Sequence, residues 1–302
     1  MDLQDVNEPS IKNKVINGLW IGNELSNLEL LTIHSFINNG HEFHLWVYEE
    51  LENQLPDGAL LKNANDIIPK NDIFRYQNPT TCGLGKGSVA GFSDIFRYKL
   101  LYDIGGWWVD MDVTCIKPFN IDQPYMFPTD HSFMVTGKIL KALKKSQLML
   151  DCYTESIQVI DENNDDWGRP ISILIENVKK LNLEKYALNG FINHDSFVYV
   201  DLYRNYNLNL PANIHSFHWC HELWRSYNID KSKFKKESTY GQLLITNNVI
   251  SLDSENNWNV NHNLLKNFQL LMFRFFFTYP NIWQYLKSIK NKISYRYNLW
   301  IP

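Results

Sequence analysis

The sequence predicts an α/β fold, from two observations near its start and one further in. Lys14–Ile21 (KVINGLWI) and Phe43–Tyr48 (FHLWVY) are short apolar runs rich in β-branched and aromatic residues, the composition of buried strands. Between them, Asn27–Asn39 carries Leu28, Leu31, Phe36 and Ile37 as the apolar members of a helix that ends at Gly40. Strand, helix and strand in this order call for a parallel crossover and a Rossmann-like opening. The third observation is residues 91–119, which read as a helix, a double-glycine turn and a further apolar strand at Trp107-Trp108-Val109. A chain of 302 residues accommodates one large α/β domain plus an appendage, here divided at 1–257 and 258–302.

Composition sets bounds on function. A net charge of −4 argues against general nucleic-acid binding. The start, MDLQDVNEPS, lacks a basic segment followed by an apolar run, so no signal peptide is expected. No uncharged apolar run approaches the roughly 18 residues of a spanning helix. Cys82, Cys115, Cys152 and Cys220 lie far apart and form no C-x-x-C pair, so free thiols in a reducing cytoplasm are expected.

Ligands of open α/β sheets bind beyond the carboxyl ends of the strands, which places Trp20, Ile21, Gly22 and Tyr48 near any bound nucleotide. Leu51–Gln77 reads as a connection with short helical turns. Thr80–Gly91 (TTCGLGKGSVAG) is glycine-rich, but Gly87 separates Lys86 from Ser88, so it is no Walker loop. A mobile loop able to close over substrate is expected instead. Val113–Pro118 continues the Trp107-Trp108-Val109 strand past Asp112 and exits, Tyr125–Val135 reads as a strand or hairpin, and Lys138–Ile160 reads as a helix. After a polar loop over Asp161–Asp166, Trp167-Gly168-Arg169-Pro170 opens a helix running Ile171–Lys180, proline being suited to a first turn.

The chemistry concentrates in GFSDIFRYKLLYDIGGWWVDMDVTCIKPF, residues 91–119. Ser93 is placed as a helix cap with Asp94 in the first turn. Ile95, Phe96, Tyr98, Leu100, Leu101 and Ile104 imply a helix buried on more than one side, and Gly105-Gly106 stops it. In an extended chain Asp110 and Asp112 would share one side. Two carboxylates after an apolar strand are costly to leave unpaired, and a hard divalent cation with substrate phosphates would satisfy them. A bare Asp-x-Asp is more often a solvated turn. Here Asp94 and Arg97, one turn apart on the preceding helix, add an acid and a phosphate-pairing guanidinium.

This stretch resembles the sugar-binding segment of family 32 glycosyltransferases, S-D-x-x-R-x-x-x-L-x-x-x-G-G-x-x-x-D-x-D. It matches at Ser93, Asp94, Arg97, Leu101, Gly105, Gly106, Asp110 and Asp112. The family includes polysaccharide and glycolipid sugar transferases, and the glucosylating domains of clostridial toxins look similar. The resemblance implies a GT-A-type domain with a mixed, mainly parallel sheet, a nucleotide-sugar donor (expected to be a UDP-hexose), Mn²⁺ or Mg²⁺, and retention of anomeric configuration. It implies Asp112 as a metal ligand, Asp110 on the metal shell or ribose, and Asp94 and Arg97 on the sugar hydroxyls and diphosphate. Members open with a strand ending in W-x-G against the nucleotide base, matched by Trp20-Ile21-Gly22; Asn17 stands where many carry histidine. A G-P pair ahead of a helix lines the sugar pocket in the family; here Arg169 is interposed between Gly168 and Pro170.

Ala212–Tyr227 (ANIHSFHWCHELWRSY) is similar to the family's late H-x-W-x-x-x-W-R motif. Aligning Trp224 and Arg225 puts His218 on the family histidine, as a third ligand at the metal or diphosphate, with Trp224 at the nucleotide. Cys220 stands where the family has tryptophan, with Trp219 one position early. A zinc site at His218 and His221 is weak, since no H-E-x-x-H frame accompanies them.

Residues 258–302 contain no Asp or Glu and six cations, Lys266, Arg274, Lys287, Lys290, Lys292 and Arg296, leaving −10 for the remainder. Ile282, Leu286, Ile289, Ile293, Tyr297 and Trp300 step by three or four along one helical face. A basic helix with an aromatic apolar face suits an anionic membrane surface, on the inner side of the cell membrane; the alternative is a helical pair packed on the domain or on a second subunit. The reading is therefore a metal-dependent retaining glycosyltransferase acting on a cell-surface glycan such as lipopolysaccharide or capsule, or a lipid-linked acceptor. A different metal-dependent phosphodiesterase, and a non-catalytic glycan-binding or membrane-scaffold relative, remain as alternatives.

Overall fold

The computed structural model describes residues 13–129, 135–193 and 197–253. The tail reading, with its helical extension and its boundary at 257/258, lies outside them. No helix among the described residues is long and apolar enough to cross a membrane.

The central sheet is α/β and mainly parallel, as the sequence predicts. It is built from β1 (Val15–Trp20), β2 (Glu42–Val47), β3 (Ala59–Asn63), β4 (Gly106–Val109) and β7 (Ile139–Ala142), in the order β3-β2-β1-β4-β7. β1 runs parallel to β2 and β4, and β2 to β3; β7 alone is antiparallel, against β4. The order reverses between β1 and β4, and a crevice opens at such a switch point beyond the carboxyl ends of the strands. Asn17, at the family's histidine position, is a buried clamp here. Its Nδ2 donates to Trp107 O at 2.9 Å and its Oδ1 accepts from Trp46 Nε1 at 3.0 Å, tying three strands together.

α1 (Asn27–Asn38) starts at a capping box, Ser26 with Glu29, and covers one sheet face with Ile33 and Phe36. α2 (Ala90–Asp103), α3 (Gln147–Val159) and α4 (Arg169–Lys180) cover the other. Trp107 and Trp108 alternate between these two cores, as successive strand residues must. Both tryptophans are fully buried, and each such side chain contributes on the order of 2–3 kcal/mol. Ile95, Phe96, Tyr98, Leu100 and Leu101 are buried on α2 as expected, whereas Ile104 is exposed.

Four local expectations need correction. α2 begins at Ala90, and Ser88 Oγ accepts the Ala90 N–H, so Ser93 is not a cap; its own N–H donates to Val89 O inside the helix. Lys138–Ile160 is not one helix. Its first part is β7, whose Lys141 is buried with Nζ on Asn13 Oδ1 at 2.8 Å and over the Trp107 ring; Lys145 then turns at φ 57 into the Ser146 cap of α3. Leu51–Gln77 holds the unforeseen edge strand β3 besides short 3₁₀ turns. Val113–Pro118 does not continue β4. A turn at Asp110–Asp112 breaks the chain away, and β5 (Val113–Cys115) pairs antiparallel with β9 (Ser216–His218) in a separate ribbon. In the Tyr125–Val135 segment, β6 (Phe127–Thr129) pairs parallel with β8 (Ala187–Asn189).

Candidate active site

A cleft of ≈ 640 Å³ opens at the switch point, lined by Trp20, Asp94, Arg97, Asp110, Asp112 and His218 among others. Two junctions bring these together. Asp110 leaves β4 with its N–H on Lys138 O at 2.8 Å and its Oδ1 accepting Trp108 Nε1 at 2.8 Å. The Val113 N–H returns to Asp110 O at 3.2 Å, so the two aspartates converge through a tight turn rather than through extended alternation. The β5–β9 ribbon then sets Val113 opposite His218. His218 Nε2 lies 3.0 Å from Asp112 Oδ2, and the same oxygen accepts the His221 N–H at 2.6 Å. Ligand atoms of Asp110, Asp112 and His218 all fall within 4.8 Å of one another.

Behind this triangle Arg97 is 4% exposed. Its Nη2 bonds Asp94 Oδ1 and sits 3.7 Å from Asp110 Oδ1, while the guanidinium lies over the Trp108 ring. Gly137 makes room for it, since a Cβ there would stand 2.1 Å from Arg97 Nη1. The Nε and Nη1 donors of Arg97 are buried without hydrogen-bond partners among the described residues, the pattern of a cradle for an anion or hydroxyl.

Two carboxylates at the Arg97 guanidinium and a third beside His218 set the electrostatics. Burial pushes Asp94 up to about 6, against the pull of Arg97, with repulsion from Asp110 adding to it. Burial also raises Asp110, opposed by Arg97 and reinforced by Asp112. Asp112 goes the other way: burial is outweighed by the charge and hydrogen bond of His218 and by the His221 N–H, and its carboxyl is held at about 2. Burial thus disfavours charge at Asp94 and Asp110, while Asp112 supplies an ionised oxygen.

The other expected residues divide. Trp20 and Ile21 line the cleft, and Trp20 packs near His221 with Lys231 over its ring; Gly22 follows at φ 141, where a side chain would be strained. Ser93 lines the cleft from within α2. Tyr48 does not line it: its hydroxyl donates to Ile68 O at 2.7 Å and its ring packs on Phe92 and Phe96. Trp224 does not either. It is buried beneath α6 (His221–Ser226) against Tyr240, with Nε1 on Trp219 O at 2.7 Å. Trp219 is core as well, bonded to Thr114 Oγ1 at 2.8 Å.

Sequence reasoning missed the anchoring of the glycine-rich loop. Glu222 Oε1 accepts the Gly85 N–H at 2.8 Å, and Arg225, forked onto Glu222, donates Nη1 to Lys86 O at 2.7 Å. Gly83, Gly85 and Gly87 all take positive φ, so the loop bends at alternate residues to reach α6. The W-R of the late motif was the signal: its arginine holds the loop and its tryptophan the core.

Residues 32–128 match the model of the family described as the glycosyltransferase sugar-binding region containing a DXD motif. The match covers the DXD-containing sugar-binding region of these glycosyltransferases. Asp110-Met111-Asp112 is its DXD, and Asp94 and Arg97 lie inside the same matched region. Among solved structures, PaToxG glycosyltransferase is similar at 12% identity over 58% of this chain and 74% of that one, with a TM-score of 0.38. A transferase carrying two cysteine-to-serine substitutions is similar at 10% identity over 56% and 85%, with a TM-score of 0.36. No curated protein matches the chain significantly.

Proposed function

We propose that this chain is a divalent-metal-dependent, retaining glycosyltransferase of the DXD type that moves a hexose from a nucleotide-sugar, UDP-linked, to a cell-surface glycan or lipid-linked acceptor. The observation that carries the reading is the meeting of Asp110, Asp112 and His218 ligand atoms within 4.8 Å at the mouth of the β1–β4 crevice. Two hard oxygens and an imidazole suit Mn²⁺ or Mg²⁺, and the raised Asp94 and Asp110 carboxyls favour a cation nearby. When bound, that cation supplies Lewis-acid neutralisation of the leaving diphosphate.

The chain's own groups do the rest. The half-buried Trp20 ring offers a face to the base, Arg97 turns its unpartnered donors toward diphosphate or sugar hydroxyls, and Asp94 accepts from a hydroxyl. The loop at residues 81–88, held to α6 by Glu222 and Arg225, narrows the cleft and limits water. The cleft carboxylates are engaged: Asp94 and Asp110 with Arg97, Asp112 with His218 and His221, Glu222 with Arg225. Among the described residues no cleft carboxylate stands free as a general base, which fits a front-face transfer in which the departing phosphate accepts the acceptor's proton and configuration is retained.

A screen of UDP- and GDP-hexoses for hydrolysis, with Mn²⁺ and with EDTA, tests the reading. Sugar release from a UDP-hexose that needs the metal and is lost in Asp110→Ala is expected. Cleavage of simple phosphodiesters without sugar release, or metal-independent turnover, overturns it. Residues 258–302, with charge +6 and no acid, complete the proposal as the part that meets an anionic membrane on its cytoplasmic face. Salt-sensitive co-sedimentation with anionic vesicles tests that part, and equal pelleting with neutral vesicles would contradict it.

A further inference from the structure

Asn193 lies between β8 and β9 and is buried, 3% exposed. Its carboxamide makes a two-point contact with the main chain of His218: Oδ1 accepts the His218 N–H at 2.5 Å, and Nδ2 donates to the His218 carbonyl at 3.0 Å. The register of β9 explains why. On the β5 side, the Trp219 N–H donates to Asp112 O at 2.9 Å, and in an antiparallel strand the next residue's groups point the opposite way. On that opposite side, main chain meets β9 at Ser216, whose N–H donates to Phe191 O at 3.1 Å beside the Ile192 bridge. Two residues on, at His218, a side chain takes over the strand's role.

An unmet buried N–H or C=O costs about 1–3 kcal/mol, and a carboxamide carries donor and acceptor in the spacing of a peptide group. Aspartate can only accept, and leucine can do neither. We propose that Asn193 is a positioning residue for His218: it fixes the main chain from which the imidazole reaches Asp112, and so sets the separation of the three ligand atoms. This inference rests on the metal reading above. A shift of His218 along β9 would carry Nε2 away from Asp112 and enlarge the triangle. Outer-shell groups that orient a metal ligand typically change metal affinity about 10–100-fold.

The test uses the full chain and Mn²⁺ alone, its binding read by the electron paramagnetic resonance of the free ion and by calorimetry. Asn193→Asp keeps the shape and removes the donor; Asn193→Leu removes both groups. Asn177→Leu, at a buried amide on α4 bonded to Glu155 and to Ile173 O, is the stability control. The Asn193 variants are expected to weaken Mn²⁺ binding 10–100-fold and to raise the Mn²⁺ concentration for half-maximal turnover, with kcat recovered at saturating metal. Asn177→Leu is expected to lower Tm without changing Mn²⁺ affinity. If Asn193→Leu does not fold, the near-isosteric Asn193→Asp carries the comparison. Wild-type Mn²⁺ affinity in Asn193→Asp, or an equal loss in Asn177→Leu, overturns the assignment alone. A wild-type protein that binds no Mn²⁺ overturns the metal reading and the assignment together.

Discussion

Asp112→Asn separates the two tasks of that side chain, because asparagine can still accept the His221 N–H at the start of α6 but carries no charge. The Asp112 carboxyl sits at about 2 against an ordinary 3.8, a difference that stabilises the folded state by about 2 kcal/mol. Its folded value is the lower one, so this stability is complete above about pH 5 and fades as pH falls from about 4 toward 2. In EDTA at pH 7 the asparagine variant should melt about 4–8 °C below wild type, taking roughly 2–4 °C per kcal/mol for a domain of this size. Asparagine does not titrate, so the gap should narrow as the pH is lowered through that window. Mn²⁺ at a hundredfold excess over its Kd adds about 2.7 kcal/mol to wild type and should add almost nothing to the variant. The assay is a set of thermal melts across pH, with and without Mn²⁺ and UDP. A gap that stays constant from pH 5 to pH 3, or equal Mn²⁺ stabilisation of both proteins, would refute the reasoning.

Arg97→Met leaves Asp94 and Asp110 without their buried partner. Removing one member of such a cluster should cost about 3–5 kcal/mol in urea unfolding and abolish sugar release. Asp94, raised to about 6, binds a proton more tightly in the folded state than in the unfolded one, so metal-free stability should fall as pH rises from about 4 through 6; Asp94→Asn should flatten that slope in pH-dependent melts. Gly105 turns at φ 74, where a Cβ would meet Lys144 N at 2.5 Å, whereas Gly106 at φ 86 faces open space. Gly105→Ala should therefore lose more than about 3 kcal/mol and Gly106→Ala about 1, compared by denaturant midpoints. Glu222→Gln weakens the Arg225 fork and should speed exchange of the Gly85 amide several-fold while moving global stability by less than about 1 kcal/mol, as read by hydrogen exchange.

The parts legible in the sequence were those whose partners are near in the chain. β1, α1 and β2 follow from local periodicity, and the segment from Asp94 to Asp112 places an acid, a guanidinium and two carboxylates within one helix–turn–strand unit. What escaped depended on distant contacts. β7 reads as helix because its lysines look solvated, yet Lys141 is drawn inward by Asn13 and the Trp107 ring. β3 escaped because it is an edge strand with Leu60 and Leu61 largely exposed, which blurs the alternation. Tyr48 and Trp224 carry the residue types of a nucleotide site, but both spend their polar atoms on main-chain carbonyls in the interior. Cys220, at φ 55, turns the chain so that the His221 N–H faces Asp112, a geometry no spacing rule would announce.

Crystals of the protein grown with Mn²⁺ and UDP, measured at the manganese edge, would address the metal centre directly. The account predicts one anomalous peak in the β1–β4 crevice, about 2.0–2.3 Å from an Asp112 oxygen and from His218 Nε2, with Asp110 in its shell and the diphosphate on its open side. A peak elsewhere, or UDP seated in the cleft with no metal between it and Asp112, would contradict it.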